Sequence, residues 1–154
     1  MILRRMMVAV FSLVLAGCGM GLDEAMPLLE ADVVEITERF FPDQDYRLRL
    51  APTGGDFTGC YYPIVDSYLP DGLGNRDRDT LFEEIEAYMV ERGWEIISID
   101  TDSFFGRLEA DHPGGAIRVS IRSDGSVYVV GSAGACTRDP DLWIVNSHSP
   151  PADD

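Results

Sequence analysis

The chain has 154 residues and is strongly acidic, with 27 aspartates and glutamates against 12 basic residues and a formal net charge of −15. Every basic residue is an arginine, and no basic stripe exists that would neutralise the phosphates of a nucleic acid. So acidic a surface is repelled by anionic lipid headgroups and favours cationic partners or metal ions. Length and apolar content suit one domain with a single core.

The first 18 residues have the parts of a bacterial export signal. Arg4 and Arg5 give a positive start, and the apolar run 6–15 is too short to span a bilayer of about 30 Å. Leu15-Ala16-Gly17-Cys18 then resembles the lipobox of bacterial lipoproteins. The resemblance implies cleavage before Cys18, a diacylglyceryl group on its thiol, and a lipid anchor on the extracytoplasmic face of the cell membrane. The alternative is a chance cysteine after an ordinary signal or an apolar N-terminal helix.

We expect four segments along the chain. Residues 1–17 form the signal peptide, residues 18–22 a lipidated tether, residues 23–146 a single α+β domain, and residues 147–154 a flexible tail. Because Gly19-Met20-Gly21 is so short, the folded body should sit close to the membrane.

The cysteines predict one disulfide. Acylation of Cys18 leaves Cys60 and Cys136, and an even remainder in an exported chain favours a bridge between the two. The alternative is two separate buried thiols.

Two helices are predicted. The first runs from about Asp23 or Pro27 to Phe41, because apolar residues recur at helical spacing while acidic residues, Asp32 among them, face water. Pro42 ends it.

The second helix begins near Asp79. Thr80 with Glu83 fits a capping box, apolar residues from Leu81 to Met89 form the buried stripe, and Gly93 is the expected stop.

Strand patterns fill much of the rest of the chain. Alternating or apolar segments predict strands over 45–50, 60–65, 94–100, 104–110, 116–122 and 126–133. In 116–122, Ile117, Val119 and Ile121 face one side and polar residues face the other. The predicted fold class is therefore α+β, with an antiparallel β-sheet meander, two helices packed on one face, and one disulfide.

A long stretch, residues 51–78, is rich in glycine, proline and aspartate. Its aromatic residues Phe57, Tyr61, Tyr62 and Tyr68 make it a candidate binding loop. The alternative is that these aromatic side chains pack the loop onto the domain beside the disulfide.

The order of elements is similar to that of small actinobacterial cell-envelope lipoproteins of the mycobacterial LppA type. Cys18, Cys60, Cys136 and the segment from Pro140 to Pro151 carry the resemblance. It implies an envelope location and a disulfide, with no enzymatic activity to transfer.

Few residues point to catalysis, and none is assigned a catalytic role. There is no G-x-S-x-G elbow. His112 in a Pro-Gly-Gly turn and His148 in the tail are expected at the surface, where two such residues make a poor zinc site. No cofactor is expected apart from calcium as an alternative.

The calcium candidate is Asn75, Asp77, Asp79 and Glu86, which have the ligand spacing of an EF-hand loop. Thr80 replaces the glycine that the loop needs, and two arginines dilute its negative charge. A solvated loop leading into a helix is the favoured interpretation.

The pattern as a whole predicts a monomeric, lipid-anchored envelope protein that binds an unknown envelope protein or polymer. The alternatives are an enzyme that acts on envelope polymers through paired carboxylates, or a phage-derived lipoprotein that blocks a second infection. A deep cleft with facing carboxylates would favour the enzyme, and a flat sheet with an exposed aromatic patch would favour binding.

Overall fold

The computed structural model describes residues 19–52, 59–101 and 104–139. Cys18, Phe57, His148 and the predicted signal peptide and tail lie outside these ranges. The helices are α1 (Leu22–Phe40) and α2 (Arg78–Glu91), and the strands are β1 (Arg47–Pro52), β2 (Pro63–Leu69), β3 (Glu95–Asp100), β4 (Phe105–His112), β5 (Gly115–Arg122) and β6 (Val127–Ala133).

The six strands form one antiparallel sheet in the order β1-β2-β6-β5-β4-β3. Strands β3 to β6 are the predicted meander, and β2 pairs with β6 so that β1 becomes the opposite edge. Helix α1 packs on β2, β5 and β6, whereas α2 packs on β3 and β4. The predicted α+β class, an antiparallel sheet with two helices, is confirmed.

The core lies between the helices and one face of the sheet. Ile117, Val119 and Ile121 are fully buried, as their alternation predicts, and they meet the apolar stripe of α1. Gly131 of β6 brings α1 close, because a Cβ at this position would lie 3.1 Å from Val65 and 3.2 Å from Leu29. Within the described ranges, no helix is long and apolar enough to cross a membrane.

The predicted disulfide between Cys60 and Cys136 is confirmed, with the two Cα atoms 5.5 Å apart. Beside it, Tyr61 and Thr137 exchange two backbone hydrogen bonds of 2.7 and 2.8 Å. The bridge therefore joins the entry to β2 with the segment that follows β6.

Strand β2 differs from the prediction. It runs Pro63–Leu69 rather than 60–65, and it lies inside the sheet between β1 and β6. The sequence pattern does not predict this strand correctly, because Asp66 and Ser67 are two polar residues in a row and break the apolar alternation. Both side chains are nevertheless buried. Tyr68, predicted in a loop, consequently belongs to a strand.

The start of α2 also differs. The predicted capping box of Thr80 and Glu83 is wrong, because Asp77 is the N-cap and its carboxylate accepts hydrogen bonds from the Thr80 backbone N–H at 2.9 Å and hydroxyl at 2.8 Å. The predicted stop is confirmed at Gly93, which has a φ of 80° and donates to the Val90 carbonyl.

Candidate binding face

The sheet face opposite the helices, called the open face, carries a row of polar and aromatic side chains. Arg47 of β1, Tyr68 of β2, Tyr128 of β6, Ser120 of β5 and Arg107 of β4 are register partners, one after another across the sheet. Since neighbouring strands lie about 4.8 Å apart, the row from Arg47 to Arg107 spans about 19 Å.

Tyr68 and Tyr128 form the centre of this row. Their ring centroids are 4.7 Å apart with an interplanar angle of 35°, and both side chains are half-exposed. Cross-strand aromatic pairs of this kind stabilise a sheet, and each tyrosine also presents a hydroxyl group. The pair forms a partly exposed aromatic patch at the centre of the open face.

Arg49 and Asp66 form an ion pair next to the tyrosines. Nη2 of Arg49 donates to Oδ2 of Asp66 at 2.5 Å, and Nε donates to the same carboxylate at 3.2 Å. The bond to Asp66 raises the pKa of Arg49 above its ordinary value. Asp66 is mostly buried, and this pairing satisfies its charge.

Three further arginines on the same half of the face have no carboxylate partner. In the described part of the chain, Arg47, Arg118 and Arg122 form no ion pair. Arg122 instead lies over the ring of Phe105, 5.4 Å from its centroid.

The open face divides into two halves of opposite sign. The strands β1, β2, β6 and β5 present an arginine–tyrosine half, made up of Arg47, Arg49, Arg118, Arg122, Asp66, Tyr68 and Tyr128. Its four arginines and one aspartate give 4 − 1 = +3. Strands β4 and β3 present an acidic half, made up of Arg107, Glu95, Asp100, Glu109 and Asp111, which gives 1 − 4 = −3.

A second cluster of polar side chains lies on the covered side. Asp32 of α1 accepts hydrogen bonds from Nη2 of Arg92 at 2.6 Å and from Nε2 of His112 at 2.7 Å. The Asp32 side chain is 9% exposed and that of His112 is 1% exposed. The predictions that Asp32 faces water and that His112 lies at the surface are therefore wrong.

This cluster holds elements of the fold together. Nδ1 of His112 accepts from the Gly114 backbone N–H at 2.9 Å, so the ring hydrogen is on Nε2 and is donated to Asp32. Both ring nitrogens are thus occupied, and solvent does not reach them. The network ties α1 to β4 and, through Arg92, to the end of α2.

The four calcium candidates are not brought together. Asp77 caps α2, where the hydrogen bond from the Thr80 backbone N–H is the main cause that lowers its pKa. Glu86 lies eight residues beyond the start of α2, about 12 Å along its axis, whereas calcium ligands lie about 2.3–2.6 Å from the ion. Asn75 belongs to the turn before the helix, and Asp79 pairs with the neighbouring arginine. Among the described residues, no three His, Cys, Asp or Glu side chains are arranged to hold a metal ion.

The aromatic residues of the predicted binding loop also separate. Tyr61 and Tyr62 lie beside the disulfide. Tyr68 is seven residues after Tyr61, about 23 Å farther along the extended chain, and lies on the open face. The sequence pattern missed Tyr128, the actual neighbour of Tyr68. The alternation of β6 places Tyr128 on the outward side of the strand, and this pattern could have identified it from the sequence.

An open depression of about 610 Å³ lies at the end of α1, bounded by Glu38 and residues 41–46. Glu38 accepts a hydrogen bond of 3.1 Å from the Tyr46 hydroxyl. Burial, followed by this bond, raises the pKa of Tyr46. The depression is wide and open to solvent, unlike the deep cleft that a pair of catalytic carboxylates predicts.

Comparisons of the chain with models of protein families, with curated proteins and with solved structures find no match. The function therefore has to be inferred from the chemistry of the open face.

Proposed function

We propose that this protein is a lipid-anchored protein of the cell envelope that binds an anionic group of a partner through the arginine–tyrosine half of its open face. The observation that carries the proposal is the concentration of four arginines and two packed tyrosines on one surface that no described element of this acidic chain covers. The rest of the protein is acidic and repels anions, so an anion is attracted to this half of the open face.

The side chains suit this task chemically. A guanidinium group presents a planar fork of donors that matches a carboxylate or a phosphate. Arginine and tyrosine are also the residues that most often dominate the binding energy of protein interfaces. Charges farther than about 8 Å are screened at physiological ionic strength. The contact therefore depends on the charge of +3 on this half and on Glu109, which lies opposite Arg118 on β4, rather than on the distant acidic helices.

The anchor complements this surface. Cys18 lies four residues before Leu22, the first residue of α1, so the tether reaches at most about 14 Å. The start of α1 packs beside the β4–β5 turn, where a Cβ on Gly114 would lie 3.0 Å from the Ala25 carbonyl oxygen. An acyl chain on Cys18 would therefore keep this end of the sheet next to the membrane.

The anchor is tested by Cys18→Ala and phase partitioning in a detergent that separates on warming. We expect the variant to leave the detergent phase, or to persist as an uncleaved precursor, because it lacks the acyl chains. Normal cleavage with unchanged partitioning would contradict the anchor and leave the binding face untouched.

The binding face is tested separately, with a photo-reactive amino acid at Ser120 on the open face or at Glu84 on the exposed side of α2. In membranes, we expect a cross-linked product from position 120 and none from position 84. Arg118→Glu should remove the product because it reverses a charge beside Ser120. Arg138→Glu is the matched control, since Arg138 is exposed and unpaired in the described part of the chain but lies outside the sheet. Equal products from both positions, or no effect of Arg118→Glu, would refute the proposal.

A further inference from the structure

The β3–β4 hairpin carries most of the exposed large hydrophobic residues that the structure describes. Of seven exposed large hydrophobic residues in the described ranges, four lie between Ile97 and Phe105. Ile97 is 57% exposed and Phe104 is 80% exposed. A concentration of apolar side chains in one exposed hairpin marks an interaction surface in a soluble domain.

The same hairpin ends the sheet. Strand β3 pairs only with β4, so within the described residues its outer edge has no strand partner. Five of its six residues are exposed. An exposed and apolar edge strand is a template for pairing with another strand. Proteins that do not use such pairing usually cover the edge or place lysine on it. This chain has no lysine to place there.

Acidic residues surround the apolar side chains. Glu95 and Asp100 stand at the two ends of β3, and Glu109 and Asp111 stand on the neighbouring strand. Arg107 is the only cation of this acidic half in the described part of the chain. The edge therefore fits a segment that is apolar where it meets Ile97 and positively charged at its flanks.

We propose that the outer edge of β3 binds an extended peptide segment of alternating apolar and basic residues, which adds to the sheet as a seventh strand. Backbone hydrogen bonds to β3 would supply affinity, and the alternate side chains of the segment would supply selectivity. A bulge between Ile96 and Ser98 interrupts the register of β3, so its longest regular run is Ser98–Asp100. The site therefore selects a short segment held by its side chains as well as its backbone.

A second copy of this chain is a poorer occupant. Antiparallel pairing of two β3 strands about their common centre would place Glu95 of each copy opposite Asp100 of the other. Like charges directly opposite each other destabilise a strand pair. The net charge of −15 on each copy opposes the contact further.

The test uses the purified protein and three short synthetic peptides. One peptide alternates arginine and valine, the second alternates glutamate and valine, and the third keeps the arginines but replaces the valines by proline, which cannot donate a backbone hydrogen bond. We expect the first to bind and to slow amide hydrogen exchange in Ser98–Asp100, and the other two to do neither. If the arginine–proline peptide bound as tightly as the arginine–valine peptide, charge attraction alone would explain the binding and the proposal would be overturned.

A matched pair of variants locates the site. Ile97→Lys should weaken binding of the arginine–valine peptide by about tenfold, because it removes an apolar contact and adds a repelling charge. Val90→Lys is the control, since Val90 on α2 is 56% exposed and its replacement adds the same charge. Unchanged binding to Ile97→Lys, or equal weakening by both variants, would overturn the proposal. So would a dimer, seen by sedimentation, that Ile97→Lys dissociates.

Discussion

Replacing Asp32 by alanine should destabilise the fold far more than its position on an otherwise acidic helix face suggests. The substitution leaves Nε2–H of His112 without an acceptor, at a side chain that is only 1% exposed. An unsatisfied buried donor costs about 1–3 kcal/mol. Arg92 is 42% exposed and can return to water, so its lost ion pair adds little. We therefore expect Asp32→Ala to lower the free energy of unfolding by about 2 kcal/mol.

Urea unfolding measured by tryptophan fluorescence is a suitable assay, because the ring of Trp94 packs 4.9 Å from that of His112. Glu30→Ala is the matched control, since it removes a carboxylate two residues earlier on α1 that has no partner among the described residues. In Asp32→Ala/His112→Phe the unpaired donor is gone, so the double variant should lose less than the sum of the two single changes. A loss in Asp32→Ala no greater than that in Glu30→Ala would refute the reasoning.

Two further predictions concern covalent and pH-dependent stability. Cys136→Ser opens a bridge between residues 76 apart, and the chain-entropy estimate for such a loop is about 4.5 kcal/mol; equal urea midpoints for variant and wild type under oxidising conditions would contradict it. Burial, followed by the nearby Glu35 carboxylate, raises the pKa of Tyr88 from 10.0 to about 12, yet no described residue lies within hydrogen-bond geometry of the Tyr88 hydroxyl. Its neutral form therefore stabilises the fold below pH 10, and this stabilisation is lost as the pH rises towards 12. Tyr88→Phe should reduce the decrease in stability between pH 10 and pH 12 without lowering stability at neutral pH. A lower melting temperature of the variant at neutral pH would show that the hydroxyl forms a hydrogen bond.

The meander was predictable because local chemistry specifies it. Turn residues separate its strands, and the alternation of β5 is unbroken, so each strand of the structure begins and ends within two residues of its prediction. The disulfide was predictable from the count of cysteines, without any knowledge of their distance in space.

Features that depend on distant partners were not predictable. Asp32 looks like one more solvated acid on α1, and its partner His112 is 80 residues away. Asp66 likewise prevents β2 from being recognised in the sequence, because the arginine that neutralises it, Arg49, lies 17 residues earlier. The open face has the same character, because Tyr68 and Tyr128 become neighbours only through the pairing of β2 with β6. Only the sheet register, set by the whole core, reveals such pairs.

The unpaired arginines of the open face contribute little to the stability of the fold. Arg47, Arg118 and Arg122 project from the side of the sheet away from the core and form no ion pair in the described part of the chain. Even paired surface charges contribute only about 0–1 kcal/mol, so these three contribute little to stability. They are nevertheless placed together beside two stacked tyrosines, while the carboxylates of the same face lie mostly on β3 and β4. In the binding we propose, a face that separates its charges in this way would present opposite signs to two different regions of the partner. Such a division would orient that partner on the sheet, because complementary charges fix the register of two surfaces.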